Sequence, residues 1–260
     1  MSGALSLGIE RYLCILPVMF RVLSYFYFDP LLGGKRIPIQ LKVALALVIS
    51  LLILPQCGGK LSLQTDAWTL ASCIAGEVTI GIAMGFMVRL VFAGIEMAGQ
   101  LIGLQIGFGI VNVLDQTQDA QVSLTGQFYE FMALMVFLSI NGHHVLLRGL
   151  VKSFEILPVM GFHGFKAGFP EFLIGYSGKV LVLVLMMAAP GMVAIFLLNC
   201  AIGFMARTFP QMNIFVIGFP ITVMAGLILT VTTAPYLGSI FMKFFTLGWG
   251  AFEAVLTYMT

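Results

Sequence analysis

Charge is what this sequence has least of. Its 260 residues include only 13 Lys or Arg and 11 Asp or Glu, 9% together, where a soluble domain carries about 25%. That shortage excludes an ordinary soluble domain. With 60% of its residues hydrophobic, the chain reads as an all-α integral membrane protein, one membrane domain with no room for a separate soluble one. A formal net charge of +2 is too weak to point to nucleic acid. Cysteine is also scarce. Cys14, Cys57, Cys73 and Cys200 lie far apart, form no CxxC pair, and read as small buried hydrophobes.

Chemistry-bearing clusters are missing too. There is no GxSxG, no HExxH and no phosphate-binding glycine loop. His143 and His144 are adjacent, so a helix would point them to different faces, a poor metal pair; His163 has no acidic or sulfur neighbour. No metal, no cofactor and no catalytic residue is therefore expected, and the chain does not read as an enzyme. The N-terminus does not read as a cleavable signal, because Arg21 interrupts its apolar stretch and no small-residue cleavage site follows.

The apolar runs are unequal. Residues 12–28 carry Arg21 and Pro17; residues 43–55 give a core short for a crossing; residues 67–88 contain Glu77, and residues 128–140 contain Glu130. From residue 180 to residue 242 the only charge is Arg207. This pattern predicts about six spans with a further helix over 240–258, and permits a kink at Pro190-Gly191. With alternating spans, seven basic residues fall on one side and five on the other, so orientation does not resolve. Glu77 and Glu130 read as partners in a hydrogen bond or ion pair inside the bundle, with a proton relay as the alternative.

Helical periodicity runs without proline from Ala67 to about Phe108, a helix of about 63 Å against a hydrocarbon core of about 30 Å. At 100° per residue, Gly85, Arg89, Ala93, Glu96, Gln100, Gly103 and Gly107 share one stripe about 80° wide. Every member is small or polar. Lipid does not tolerate that face, so it must meet protein or water: a helix-packing seam within one chain, a seam between subunits, or a lumen lining. The helix then runs into FGIVNVLDQTQ (108–118), glycine-rich and abruptly polar.

Four segments carry a resemblance: KRIPIQLKVALAL (35–47), AGQLIGLQIGFGIVNVLD (98–115), FLSINGHHVLLRGLVKSFEILP (137–158) and LNCAIGFMARTFPQMNIFVIGFP (198–220). Together, and in order along nearly the whole chain, they resemble the FliR/SctT family of type III secretion export-gate proteins. The core PQMNIFVIGFP is more similar to the flagellar branch than to the virulence branch. The resemblance implies bent helical hairpins like a fused FliP-like part (about 1–160) and FliQ-like part (about 161–260), within a right-handed helical assembly. It implies FliP-type and FliQ-type partners in a gated channel for unfolded protein substrates. It also implies FlhB-type and FlhA-type neighbours, and a place in the bacterial inner membrane within the flagellar basal body. It further implies that the loop after the GLQIG segment projects into the closed pore as part of a plug, here Phe108, Gly109, Ile110, Val111, Asn112, Val113, Leu114 and Asp115. One departure is Asp115-Gln116, where many relatives have Asp-Pro; without proline the loop should be less rigid. Arg207 is read either as an interfacial anchor or as an inter-subunit contact. The alternative function is a secondary transporter for a small solute, with Glu77, Arg89, Glu96 and Glu130 as its working groups, although no convincing internal repeat is visible.

Overall fold

A computed structural model describes residues 14–34, 37–56, 66–108, 123–162, 164–209 and 214–259. The described residues are helical and contain no strand. In chain order the helices are α1 (Ile15–Phe28), α2 (Ile39–Ile53), α3 (Ala67–Ile106), α4 (Leu124–Ser139), α5 (Gly142–Ile156), α6 (Phe169–Thr208) and α7 (Ile214–Met259). A short 3-10 turn, Leu54–Gln56, follows α2.

Among the described residues, three helices are long and apolar enough to cross a membrane: α3, α6 and most of α7 (Val216–Met259). The pair α4–α5, bent by 73°, makes a fourth if it counts as one span. This corrects the expectation of six spans and a separate C-terminal helix. The stretch from Ile214 to Met259 is one helix of 46 residues with Pro220 and Pro235 inside it. A proline in such a helix frees one carbonyl, but apolar helices tolerate this where neighbours satisfy the backbone, and beyond Pro235 no further proline intervenes before Met259. Similarly, the apolar run after residue 180 belongs to a longer helix that begins at Phe169 and continues through Pro190.

The chain forms two compact units. One takes in residues 1–90, 138–176 and 247–260; the other takes in 91–137 and 177–246. In the first unit, α1 buries Val18, Val22, Tyr25 and Phe26, α3 buries Ile80, Met84 and Met87, and α5 buries Leu146, Leu150 and Phe154. The α5 spacing of four is the single apolar stripe of an amphipathic helix. The end of α7 adds Phe252, Val255 and Leu256 to the buried set.

A charged group lies at the centre of this unit. Arg21 and Glu77 are both fully buried and form an ion pair in which Arg21 Nε donates to Glu77 Oε2. The other guanidinium nitrogens are also used. One Nη donates to the Ser153 carbonyl at 3.1 Å and to its Oγ at 3.3 Å, and the other donates to the Leu157 carbonyl at 2.9 Å. The guanidinium carbon lies 4.0 Å from the Phe154 ring centroid, within reach of a cation–π contact. A buried charge is tolerable only when it is paired and its donors are satisfied. One turn along α3 from Glu77, Gly81 lets α1 come close. A Cβ there would overlap Ser24 Oγ and the Arg21 carbonyl oxygen. The exit of α1 is fixed by Asp29, whose Oδ1 accepts the N–H groups of Leu31 at 2.7 Å and Leu32 at 3.2 Å.

In the second unit, Phe92 of α3, Phe137 of α4 and Phe245 of α7 form a triangle with centroids 5.5–5.7 Å apart. Ile95, Ala98 and Ile102 extend this core along α3, with Val184, Ala188 and Ile195 from α6 and Phe241 and Phe244 from α7 buried as well. Much apolar surface stays exposed. On α2, Ile39 is 70% and Leu52 70% exposed; on the later half of α6 and the first half of α7, Phe204 is 73% and Val231 72% exposed. Such surface fits lipid or other subunits, not water.

Arg21→Ala should destabilise the chain by about 3–5 kcal/mol, because it leaves a buried carboxylate unpaired. The double variant Arg21→Met, Glu77→Met should recover part of that loss. Thermal unfolding of the detergent-solubilised protein measures both, and equal stability of the Arg21→Ala variant and the parent would contradict the keystone role.

Candidate functional site: the end of the central helix and its loop

The sequence singled out the polar end of the central helix, and the structure describes both flanks of the loop that follows. α3 stops at a glycine. Gly107 has φ of 100°, a left-handed conformation that residues with a Cβ resist. Its N–H bonds the Leu104 carbonyl at 3.2 Å, and the Phe108 N–H bonds the Gly103 carbonyl at 3.1 Å. These two bonds are the paired 5→2 and 6→1 closures of a Schellman stop, so the helix end is capped by its own backbone. Of the loop residues taken as a plug, Phe108 is half-buried; Gly109, Ile110, Val111, Asn112, Val113, Leu114 and Asp115 lie outside the described residues.

The chain re-enters at Ser123, which caps α4. Its Oγ accepts the Gly126 N–H at 3.1 Å, and its carbonyl takes the Gln127 N–H at 3.0 Å. A serine N-cap satisfies a donor that the first turn cannot pair internally. Entry and exit meet at Gly103. A Cβ there would overlap Thr125 Oγ1 and lie 3.3 Å from Ser123 Oγ. The start of α4 thus lies against α3 one turn before its glycine stop.

A small-residue seam holds the two flanks together. Gly99 of α3 faces Gly126 of α4, and Gly103 faces Thr125. A Cβ on Gly99 would lie 2.8 Å from the Thr125 carbonyl oxygen, and one on Gly126 would lie 2.8 Å from Gln100 Cγ and 3.1 Å from the Glu96 carbonyl oxygen. Backbones this close need small residues at both positions. Gln100 Nε2 donates to Glu96 Oε1 at 3.2 Å on this face. Ile106 is buried and seats against Gly226 of α7, where a Cβ would be 2.5 Å from its side chain.

The stripe read from the sequence is distributed as follows. In the first unit Gly85 faces α1, with a would-be Cβ 2.7 Å from Phe28 Cβ, and Arg89 is half-buried. In the second, Glu96, Gln100 and Gly103 adjoin α4, Gly107 makes the stop, and Ala93 is half-buried. Glu130 is half-buried and Arg207 is exposed in the last turn of α6. Glu77 is committed to Arg21.

The sequence reading did not find Gly99, Gly126 or the Arg21 partnership. The first could have been found by stepping back four residues from Gly103, and the last by noting that two lone charges in apolar helices require each other. Among the described residues no group of His, Cys, Asp and Glu could hold a metal ion. A cavity of about 220 Å³ in the second unit is lined mainly by apolar side chains, including Ile102, Met187, Leu229 and Ile240.

Long apolar helices, a buried ion pair inside them and a glycine-stopped loop define a helical membrane protein built around packing and a loop. Comparison with known proteins identifies the class. The family model described as bacterial export proteins, family 1, matches residues 12–247. The chain is 31% identical over 225 residues to the flagellar biosynthetic protein FliR of Bacillus subtilis (strain 168), covering 86% of each chain. It is 31% identical over 241 residues to FliR of Escherichia coli (strain K12), covering 88% of each. Against the Yop proteins translocation protein T of Yersinia pestis the identity is 26% over 223 residues, covering 85% of this chain and 84% of that one. The chain belongs to the bacterial export proteins, family 1, and is a membrane component of the type III export apparatus.

Gly107→Ala should cost about 1 kcal/mol through strain at the helix stop, and Ser123→Ala about 1 kcal/mol through the lost cap. Thermal unfolding of the purified protein measures each; no change in either would contradict the capped-loop geometry.

Proposed function

We propose that this chain is an export-gate core subunit of a flagellar type III apparatus. With FliP-type and FliQ-type subunits it forms a gated channel for unfolded proteins in the bacterial inner membrane, within the flagellar basal body. FlhB-type and FlhA-type components adjoin it. Supporting the flagellar reading are the FliR relatives at 31% identity, against 26% for the Yersinia protein. The chain itself is non-enzymatic: it guides and closes, while partners supply the driving force. Its fused FliP-like part (about 1–160) and FliQ-like part (about 161–260) belong to the same proposal.

The loop at Phe108–Asp115 closes the channel at rest. The observation that carries this reading is the geometry of its flanks: a left-handed Gly107 stop and a Ser123 cap that meet at Gly103. A loop pinned at one point can be displaced without unfolding the helices that bear it. Its apolar members Phe108, Ile110, Val111 and Val113 would exclude water and ions, as hydrophobic constrictions do. The stripe on α3 is proposed to supply the lipid-averse face behind this loop, by helix packing and towards other subunits or the lumen.

Deleting residues 110–116 should raise ion leak across the membrane and disturb secretion. Unchanged leak together with normal secretion would sink the plug assignment. Arg207 is proposed to contact a neighbouring subunit, and its exposure at the end of α6 leaves it accessible for that role. Arg207→Ala should reduce recovery of the intact complex in pull-downs; full recovery would favour an interfacial anchor instead.

A further inference from the structure

The cavity in the second unit takes no part in closing the channel, and its lining is chemically one-sided. Four helices build it, with Ile102 from α3, Tyr129 from α4, Met187 and Gly191 from α6, and Thr230 and Thr233 from α7. Among the described residues no charged side chain lines it. The sequence explains why the space exists. Pro190 gives no N–H to the helix, and Gly191 brings no side chain to this level of α6. A Cβ at Gly191 would lie 3.4 Å from Ile102 Cγ1, an ordinary contact, so close packing there does not demand glycine. The volume is about 220 Å³, larger than the apolar cavity of about 150 Å³ that stays dry and takes up benzene. Ile102, Tyr129 and Met187 are buried at its floor, while Tyr236 is 72% exposed at its edge and marks the way in.

One corner of this lining is polar. The Tyr129 hydroxyl hydrogen-bonds the hydroxyls of Thr230 and Thr233. Thr230 Oγ1 donates to the Gly226 carbonyl at 2.8 Å, and Thr233 Oγ1 donates to the Leu229 carbonyl at 2.7 Å. Both threonine protons are therefore spent on the helix backbone, so Tyr129 is the donor to the threonine oxygens. What the corner has left is lone pairs. A ligand can donate a hydrogen bond there and finds no proton to accept.

We propose that this cavity binds a small uncharged molecule with an apolar body and one hydroxyl, of the alkyl-alcohol class. The body fills the space beside Pro190-Gly191, and the O–H donates to the corner formed by Tyr129, Thr230 and Thr233. An occupant supplies the contacts that the lining lacks and so braces the four helices of this unit. No loop residue enters the argument, so this inference and the plug reading can fail separately.

The test uses the intact export complex, purified in a steroid-based detergent that has no alkyl chain to compete. An octanol carrying a diazirine is the probe, and its adducts are mapped by mass spectrometry after illumination. Adducts should saturate with probe concentration and fall on Tyr129, Met187 or Tyr236, and excess unlabelled octanol should suppress them. Heptyl methyl ether, of similar length but without an O–H, should need about fivefold more for the same suppression, the worth of one hydrogen bond. Thr233→Met, which extends a side chain into the space, should remove most of the adducts. If that variant does not assemble, Gly191→Ala is read instead, and should reduce them. Absence of saturable adducts at the lining would overturn the proposal. Equal suppression by the ether and the alcohol would overturn it too, because the cavity would then be a slot for any hydrocarbon chain.

Discussion

An arginine buried among apolar helices constrains everything near it. Arg21 brings five N–H donors and a full charge to a place without water. Glu77 answers the charge, and the Ser153 carbonyl, the Ser153 Oγ and the Leu157 carbonyl accept from the two Nη groups. Those partners lie 56, 132 and 136 residues away in sequence. The first unit must therefore bring α1, α3 and the end of α5 together in one register, or leave a charge stranded. Gly81 belongs to the same device, because a side chain there would hold α1 off and put Glu77 out of reach. An apolar replacement could pack this space, but it would not select one register so sharply.

The second unit meets a similar demand by other means. Its α3 and α4 approach through small residues rather than through charge, with Gly99 against Gly126 and Gly103 against Thr125. The same seam sets where the chain leaves α3 and where it enters α4. A glycine stop closes α3 and a serine cap opens α4. The flanks of the proposed plug are thus anchored by backbone and caps.

The central helix was the most legible element. Its uninterrupted period from Ala67 and the small, polar stripe marked both its course and the face that avoids lipid, and α3 ends at Ile106 within a turn of the expected point. The final helix was less legible. Proline usually ends a helix in water, and a separate helix was expected over 240–258, yet Ile214–Met259 runs on through Pro220 and Pro235 as one helix. The Arg21–Glu77 pair was hidden for a different reason. Periodicity reports which face of a helix is buried but not which helix lies against it, and this pair is a fact about two helices. The loop residues beyond Phe108 lie outside the described part of the chain, so their assignment rests on the resemblance and on their flanks.

The central claim is that the loop after α3 faces the path of the exported chain. The direct measurement is site-specific photo-crosslinking in the assembled apparatus, with a substrate stalled in transit. A crosslinker at Val111 or Val113 should capture the stalled chain, while one at Leu52, exposed on α2, should not. Capture at Leu52 but not at either loop position would contradict the account.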